Sequence, residues 1–204
     1  MSDSAKMETL FATQIYRAQL SARANADLAK TCLSLAAEDR AGQRWSKQHG
    51  YRGYTSYASL DDLPQRASVF AGLVSVIDRH VRSFAKALDY AQTKPVLDSL
   101  WVNVMDEGAV HTGHIHPHSA ISGTYYVALP KNASAIRFED PRLPLMMSAP
   151  VKREHAKHHN QPFVTMTPKP GTLLLWESFL RHEVPQNPAR GKRISISFNY
   201  TLRS

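Results

Sequence analysis

The apolar positions of this chain change their spacing near its middle, and the change divides a helical half from a strand-rich half. From Ser21 to Glu38 the residues are rich in Ala, Leu, Lys and Arg, which favours helix. From Ala67 to Leu88, "ASVFAGLVSVIDRHVRSFAKAL" sets Phe70, Leu73, Ile77, Val81 and Phe84 at steps of three and four residues. That is the spacing of a long amphipathic helix with one buried face. His80 lies near that face and, lacking a partner pattern, reads as structural. Between the two helical stretches, "YRGYTSYASLDDLP" reads as an ordered polar loop carrying aromatic contacts.

Beyond Leu97 the apolar spacing shortens. "LWVNVMDE", "GTYYVALP", "SAIRFED", "PFVTMTP", "GTLLLWES" and "RISISFNYTL" are rich in β-branched, aromatic and other apolar residues and are broken by Gly, Pro, Asp and Asn. No intervening helical pattern is long enough for repeated crossovers, so the segments predict a mostly antiparallel barrel or sandwich. The expected architecture is mostly β, one domain over 1–204, with a helical support at about 15–92 covering one sheet of a β core at about 97–204.

Length and composition narrow the picture further. A chain of 204 residues builds a sizeable core without crosslinks or a structural metal. A single cysteine, Cys32, excludes an internal disulfide and any all-cysteine metal site, and fits a reducing cytoplasm. No stretch approaches the ~20 apolar residues of a membrane span, and the N-terminus lacks a signal-like apolar run. Cytoplasmic localisation without membrane attachment is the expectation, and nothing in the sequence excludes a homo-oligomer. The net charge of +8 favours small anions as well as nucleic acid. The basic residues are nevertheless dispersed, apart from "VKREHAKHH", and no nucleic-acid module is present, so a dedicated nucleic-acid partner is not expected.

Four of the ten histidines fall in "HTGHIHPH". Residues two apart on an extended segment share a side, so His114 and His116 can converge on one ion. His118 has the same parity, but Pro117 interrupts ladder pairing before it, and Gly113 leaves the direction of His111 undefined. His182, between an apolar strand and the last strand, is the third candidate, and that last strand carries Arg193 and Ser195 on one face. Neutral imidazoles donate to a divalent metal. A guanidinium grips a carboxylate through paired, charge-assisted hydrogen bonds, to which a serine hydroxyl adds one more. The same residues also fit a polar loop, a strand-end hydrogen bond and an exposed base, and the same three nitrogens fit a zinc hydrolase.

Two stretches, "WVNVMDEGAVHTGHIHPHSAISGTYY" and "PGTLLLWESFLRHEVPQNPARGKRISISFN", resemble the iron(II)- and 2-oxoglutarate-dependent oxygenase superfamily. The likeness is greatest to a small bacterial and phage-associated branch with "HxHPxSxxSGxYY" and distal "H…RxS" patterns. It extends weakly to "LFATQIY" and "GYTSYASLDDL", covering most of the chain. The resemblance implies a double-stranded β-helix, a jelly-roll or cupin-like fold, with Fe(II) near one open end, 2-oxoglutarate as cosubstrate and molecular oxygen as substrate. It implies that His114, His116 and His182 bind the metal and that Arg193 and Ser195 hold the far carboxylate of 2-oxoglutarate. Tyr125 or Tyr126 is implied in the cosubstrate pocket, with Tyr125 taken as the candidate, and Asn103 is a candidate contact or else a buried structural amide. The superfamily usually has HxD or HxE, so His116 stands where an acid is customary. Asp106 and Glu107, before Gly108, read first as a turn.

The implied activity is hydroxylation of an unidentified small-molecule or peptide substrate, with oxidative decarboxylation of 2-oxoglutarate to succinate. Two alternatives remain open on the sequence. One is a cupin-like three-histidine metal enzyme that does not use 2-oxoglutarate; the other is a non-enzymatic β domain that binds protein or nucleic acid.

Overall fold

The computed structural model describes residues 4–203. Its elements run β1 (Ile15–Gln19), α1 (Asn25–Glu38), α2 (Arg40–Gln48), β2 (Gly53–Thr55), α3 (Leu63–Arg66), α4 (Ser68–Ala87), β3 (Lys94–Met105) and β4 (His111–His114). There follow β5 (Ile121–Ala128), β6 (Ile136–Glu139), β7 (Phe163–Met166), β8 (Thr172–Glu177), β9 (His182–Val184) and β10 (Arg193–Arg203). All strand pairs are antiparallel. Six strands form one sheet in the order β1-β8-β5-β10-β3-β2, and four form the other in the order β4-β9-β6-β7.

The large sheet separates two environments because its central strands alternate. Val102, Val104, Tyr125, Val127, Leu173, Leu175, Ile194, Ile196 and Phe198 share one core with α1 and α4. The five positions spaced along α4, Phe70, Leu73, Ile77, Val81 and Phe84, are all buried in it. At roughly 1.5–3 kcal/mol for each large apolar side chain removed from water, that stripe is what fastens the helix to the sheet. On the opposite face, Tyr126, Leu174 and Trp176 pack against Ile136 and Phe138 of the small sheet. The functional cavity lies on this second, inter-sheet side.

Two strands lie where the apolar pattern gives only helix and loop. β1 pairs with β8, setting Tyr16 opposite Leu175, and β2 pairs with β3, setting Thr55 opposite Asn103. The segment at 15–92 is therefore not purely a helical support: it also supplies both edges of the large sheet. α2 is likewise absent from the sequence expectation. Its Asp39 cap accepts the Gly42 N–H at 3.0 Å and the Tyr54 hydroxyl at 2.9 Å, tying the helix start to β2. His80 is structural as expected, hydrogen-bonded through Nδ1 to the Tyr16 hydroxyl at 2.8 Å. Among the described residues no helix is long and apolar enough to cross a membrane.

Candidate active site

β9 is only three residues long, but its alternation is complete: His182 and Val184 point inward, and Glu183 points outward to pair with Arg137 of β6 at 2.5 Å. The ladder with β4 sets His114 opposite His182. β4 ends at His114, short of the extended run expected through Pro117, yet His116 keeps its direction. Its backbone N–H donates to the Ser178 carbonyl at 3.0 Å, anchoring it beside the segment that leads into β9.

The ligand nitrogens of His114, His116 and His182 lie within 4.8 Å of one another. The Nε2 atoms of His116 and His182 are 3.3 Å apart. Two nitrogens bound to one ion at about 2.1 Å stand about 3–3.4 Å apart at octahedral or tetrahedral angles, so this pair fits a shared divalent metal. The tautomers fit as well. His114 Nδ1 lies 2.6 Å from the Thr112 carbonyl, and His182 Nδ1 lies 2.9 Å from that of Leu180. Each Nδ1–H therefore donates to backbone, which leaves the Nε2 lone pair for a metal. Burial, then neighbouring His114, pushes the His182 imidazole down to about 3 and His116 down to about 4, so both are neutral ligands at neutral pH.

The other end of the cavity is built on β10. Pairing with β3 and β5 aligns Ser195 with Asn103 and Tyr126, and Ser197 with Trp101 and Thr124. Arg193, Ser195, Asn103, Tyr126, Trp101 and Trp176 line the same cavity as the three histidines. Arg193 is only 2% exposed. Its Nε donates to the Ser134 carbonyl at 3.1 Å, one terminal nitrogen lies 3.3 Å from both Ser195 Oγ and Met105 Sδ, and its guanidinium sits over the Tyr126 ring. None of the ion pairs among the described residues involves it. A buried cation without a counter-charge is expensive, and its unused donors make the site a receptor for an anion. Beside it, the buried hydroxyls of Tyr126 and Ser134 have no hydrogen-bond partner.

Tyr125 does not belong to this cavity, and the cosubstrate role expected for it is corrected here. Its ring lies in the helix-side core and its hydroxyl donates to Asn25 Oδ1 at 2.6 Å. Tyr126 has the opposite parity and faces the cavity. The signal was present in β5, where Ser122, Thr124 and Tyr126 form the polar row against Ile121, Tyr125 and Val127. Asn103 is a buried amide that lines the cavity, accepts from Thr55 Oγ1 at 3.0 Å and donates to Ser197 Oγ at 3.2 Å. His111 also lines the cavity, bonded through Nε2 to the Tyr51 hydroxyl at 2.9 Å, whereas exposed His118 takes a left-handed backbone conformation outside it. Asp106 pairs with Lys192 at 2.5 Å, away from the histidines, in keeping with its turn.

Over residues 99–199 the chain matches the family described as "Putative 2OG-Fe(II) oxygenase". The fold is similar to that of a Pseudomonas putida prolyl-4-hydroxylase, with a TM-score of 0.61 and 16% identity over 94% of each chain. It is similar also to the epimerase SnoN in complex with Fe3+, alpha ketoglutarate and nogalamycin RO, with a TM-score of 0.63 and 15% identity over 93% of this chain and 79% of that one. A third likeness is to a viral collagen prolyl hydroxylase from Paramecium Bursaria Chlorella virus-1, with a TM-score of 0.54 and 11% identity over 93% of this chain and 96% of that one. At these identities the structural likeness is one of fold, the double-stranded β-helix. No curated protein matches the chain. Family match and fold agree: the chain belongs to the 2OG-Fe(II) oxygenases and is an enzyme of that class.

Proposed function

We propose that this enzyme is an iron(II)- and 2-oxoglutarate-dependent dioxygenase that hydroxylates a small-molecule or peptide substrate. The observation that carries the reading is Arg193, a buried guanidinium without an acidic partner, in the same cavity as three convergent imidazoles. A three-histidine metal enzyme that does not use 2-oxoglutarate accounts for the histidines and leaves Arg193 without a purpose.

His114, His116 and His182 would hold the metal as neutral ligands, their orientation fixed by the Thr112, Leu180 and Ser178 carbonyls. Arg193 and Ser195 would bind the far carboxylate of 2-oxoglutarate, joined by the free hydroxyl of Tyr126, in the position expected of Tyr125. Asn103, fixed by Thr55 and Ser197, presents a neutral amide beside the same ligand. Bound iron and 2-oxoglutarate supply the oxidising chemistry: oxygen, 2-oxoglutarate and a substrate C–H bond give hydroxylated product, succinate and carbon dioxide. The protein orients the reactants and keeps water from the buried end, where Phe138 and Trp176 close around His182. The lone buried thiol of Cys32 supports a reducing compartment such as the cytoplasm.

The test is the anaerobic absorption spectrum of the ferrous protein with and without 2-oxoglutarate. A charge-transfer band that appears with 2-oxoglutarate and is lost in H182A is the expected result. Metal uptake unchanged in both H114A and H182A, or a spectrum insensitive to 2-oxoglutarate, overturns the proposal.

A further inference from the structure

The basic run "VKREHAKHH" lies within residues 140–162, which join β6 to β7. Connections longer than about 12–15 residues without secondary structure are uncommon in compact domains and usually functional. This one holds only two 3-10 turns, Leu143–Leu145 and His158–Asn160. Its ends are pinned together, the Asp140 N–H donating to the Pro162 carbonyl at 2.8 Å. Its place is set by β6, where Phe138 stands opposite His182 and the Glu139 N–H donates to the Arg181 carbonyl at 3.0 Å. The excursion therefore leaves the small sheet beside the histidine end of the cavity.

Two kinds of side chain stand unengaged on it. Leu145, Met147 and Val151 are 83%, 92% and 99% exposed. Singly, such residues are ordinary; three on one segment mark an interaction surface. Next to them, Lys152, Arg153 and Lys157 are exposed and have no ion-pair partner among the described residues. Glu154 is the only acid between Asp140 and Phe163. The composition narrows the partner. Single-stranded nucleic acid is held by aromatic stacking as well as by cations, and residues 140–162 contain no Phe, Tyr or Trp. A lipid surface takes an amphipathic helix, and the segment has none. Aliphatic and adaptable Met side chains beside unpaired cations complement an acidic protein segment that carries apolar residues.

We propose that the β6–β7 excursion is a docking surface for an acidic, apolar-bearing peptide segment of a partner protein, seated against Leu145, Met147, Val151, Lys152, Arg153 and Lys157. The cations draw the segment in and fix its direction, and the apolar side chains supply the buried area. The docked segment is then the peptide substrate of the dioxygenase proposed above, the one point that rests on that reading.

Fluorescence anisotropy of the metal-free full chain tests the surface with a short fluorescein-labelled Glu-Glu-Leu repeat peptide. Glu-Glu-Leu is expected to bind at least about tenfold more tightly than Glu-Glu-Ser or Lys-Lys-Leu repeats of the same length, with an advantage over Lys-Lys-Leu that fades as salt rises. Its affinity should fall at least about tenfold in K152S/R153S/K157S and several-fold in L145S/M147S/V151S. All six positions are exposed, so both triple variants should keep the wild-type circular dichroism and the 2-oxoglutarate charge-transfer band. No binding of Glu-Glu-Leu, unchanged binding in both triple variants, or tighter binding of single-stranded DNA or of phosphatidylserine vesicles overturns the proposal. A wild-type protein that binds the peptide but whose ferrous spectrum ignores 2-oxoglutarate sinks the dioxygenase reading and leaves the docking surface standing.

Discussion

His114 and His182 oppose each other across the β4–β9 ladder, so backbone pairing fixes two of the three metal-directed imidazoles relative to each other. The third, His116, lies past the end of β4 and is held by a backbone hydrogen bond to Ser178 and by its ring's contacts with His182 and Trp101. Two positions of the centre are thus set by the sheet ladder, and one by a backbone tether together with ring packing.

Arg193→Met keeps much of the side chain's length and removes its charge. The lost charge-assisted contacts, at about 1.5–3 kcal/mol each, predict a fall of at least about tenfold in 2-oxoglutarate affinity. Titration calorimetry with a redox-inert metal measures it, and an unchanged affinity contradicts the role given to Arg193.

Acid should destabilise the metal-free protein well before its carboxylates titrate. In the unfolded chain a histidine titrates near about 6.5, whereas His182 in the fold is pushed down to about 3 and His116 to about 4. Between those values the unfolded state binds more protons, so stability falls as pH drops below about 6.5 and continues to fall toward the folded values. For buried His182 the loss at pH ~5 is about 2 kcal/mol. Thermal melts between pH 7 and 5 should show a declining Tm, with a shallower decline in H182Q. A flat wild-type profile contradicts the prediction.

Gly123 lies inside the large sheet on β5, paired with Phe198 of β10 and Leu175 of β8. A Cβ there would meet the Phe198 ring at 2.5 Å and the Leu174 carbonyl oxygen at 2.7 Å, and the second of these is backbone that cannot swing aside. Gly123→Ala is expected to lower stability by about 1–3 kcal/mol. A denaturant midpoint within error of the wild type would show that the strands part more easily than their pairing implies.

Cys32 has no exposed surface, and burial pushes its thiol up to about 12. At pH 8 the native protein should resist iodoacetamide and react only as it unfolds, so labelling should track global opening. Rapid modification of the native protein, read by mass spectrometry, would place α1 away from the sheet.

Much of this was legible in the sequence because periodicity reports directly on burial. The α4 stripe and the six β segments quoted from the apolar pattern, β3, β5, β6, β7, β8 and β10, follow from it. β1, β2 and β9 were not legible as strands. What makes them strands is pairing with distant partners rather than local preference. At the site, the converging histidines and the Arg193–Ser195 face follow from two-residue spacing. The choice of Tyr126 over Tyr125 follows from the same spacing once the rows of β5 are compared, since Tyr126 shares its row with Ser122 and Thr124 and Tyr125 shares its row with Ile121 and Val127. The absence of acids from the cavity was hidden. Glu183, Glu139 and Glu177 sit one or a few residues from site positions and are turned outward by strand alternation and ion pairing.

The two ends of the candidate ligand are held by different sheets: the histidines belong to β4, β9 and the segment just past β4, and Arg193 and Ser195 to β10. The gap between the sheets therefore works as a calliper. Facing sheets stand about 10 Å apart, and their packed side chains allow little adjustment of that distance. Chain length in a diacid is consequently measured by the packing of the whole β-helix, so a substitution in the inter-sheet core at Phe138, which is not among the residues lining the cavity, should alter which diacids fit.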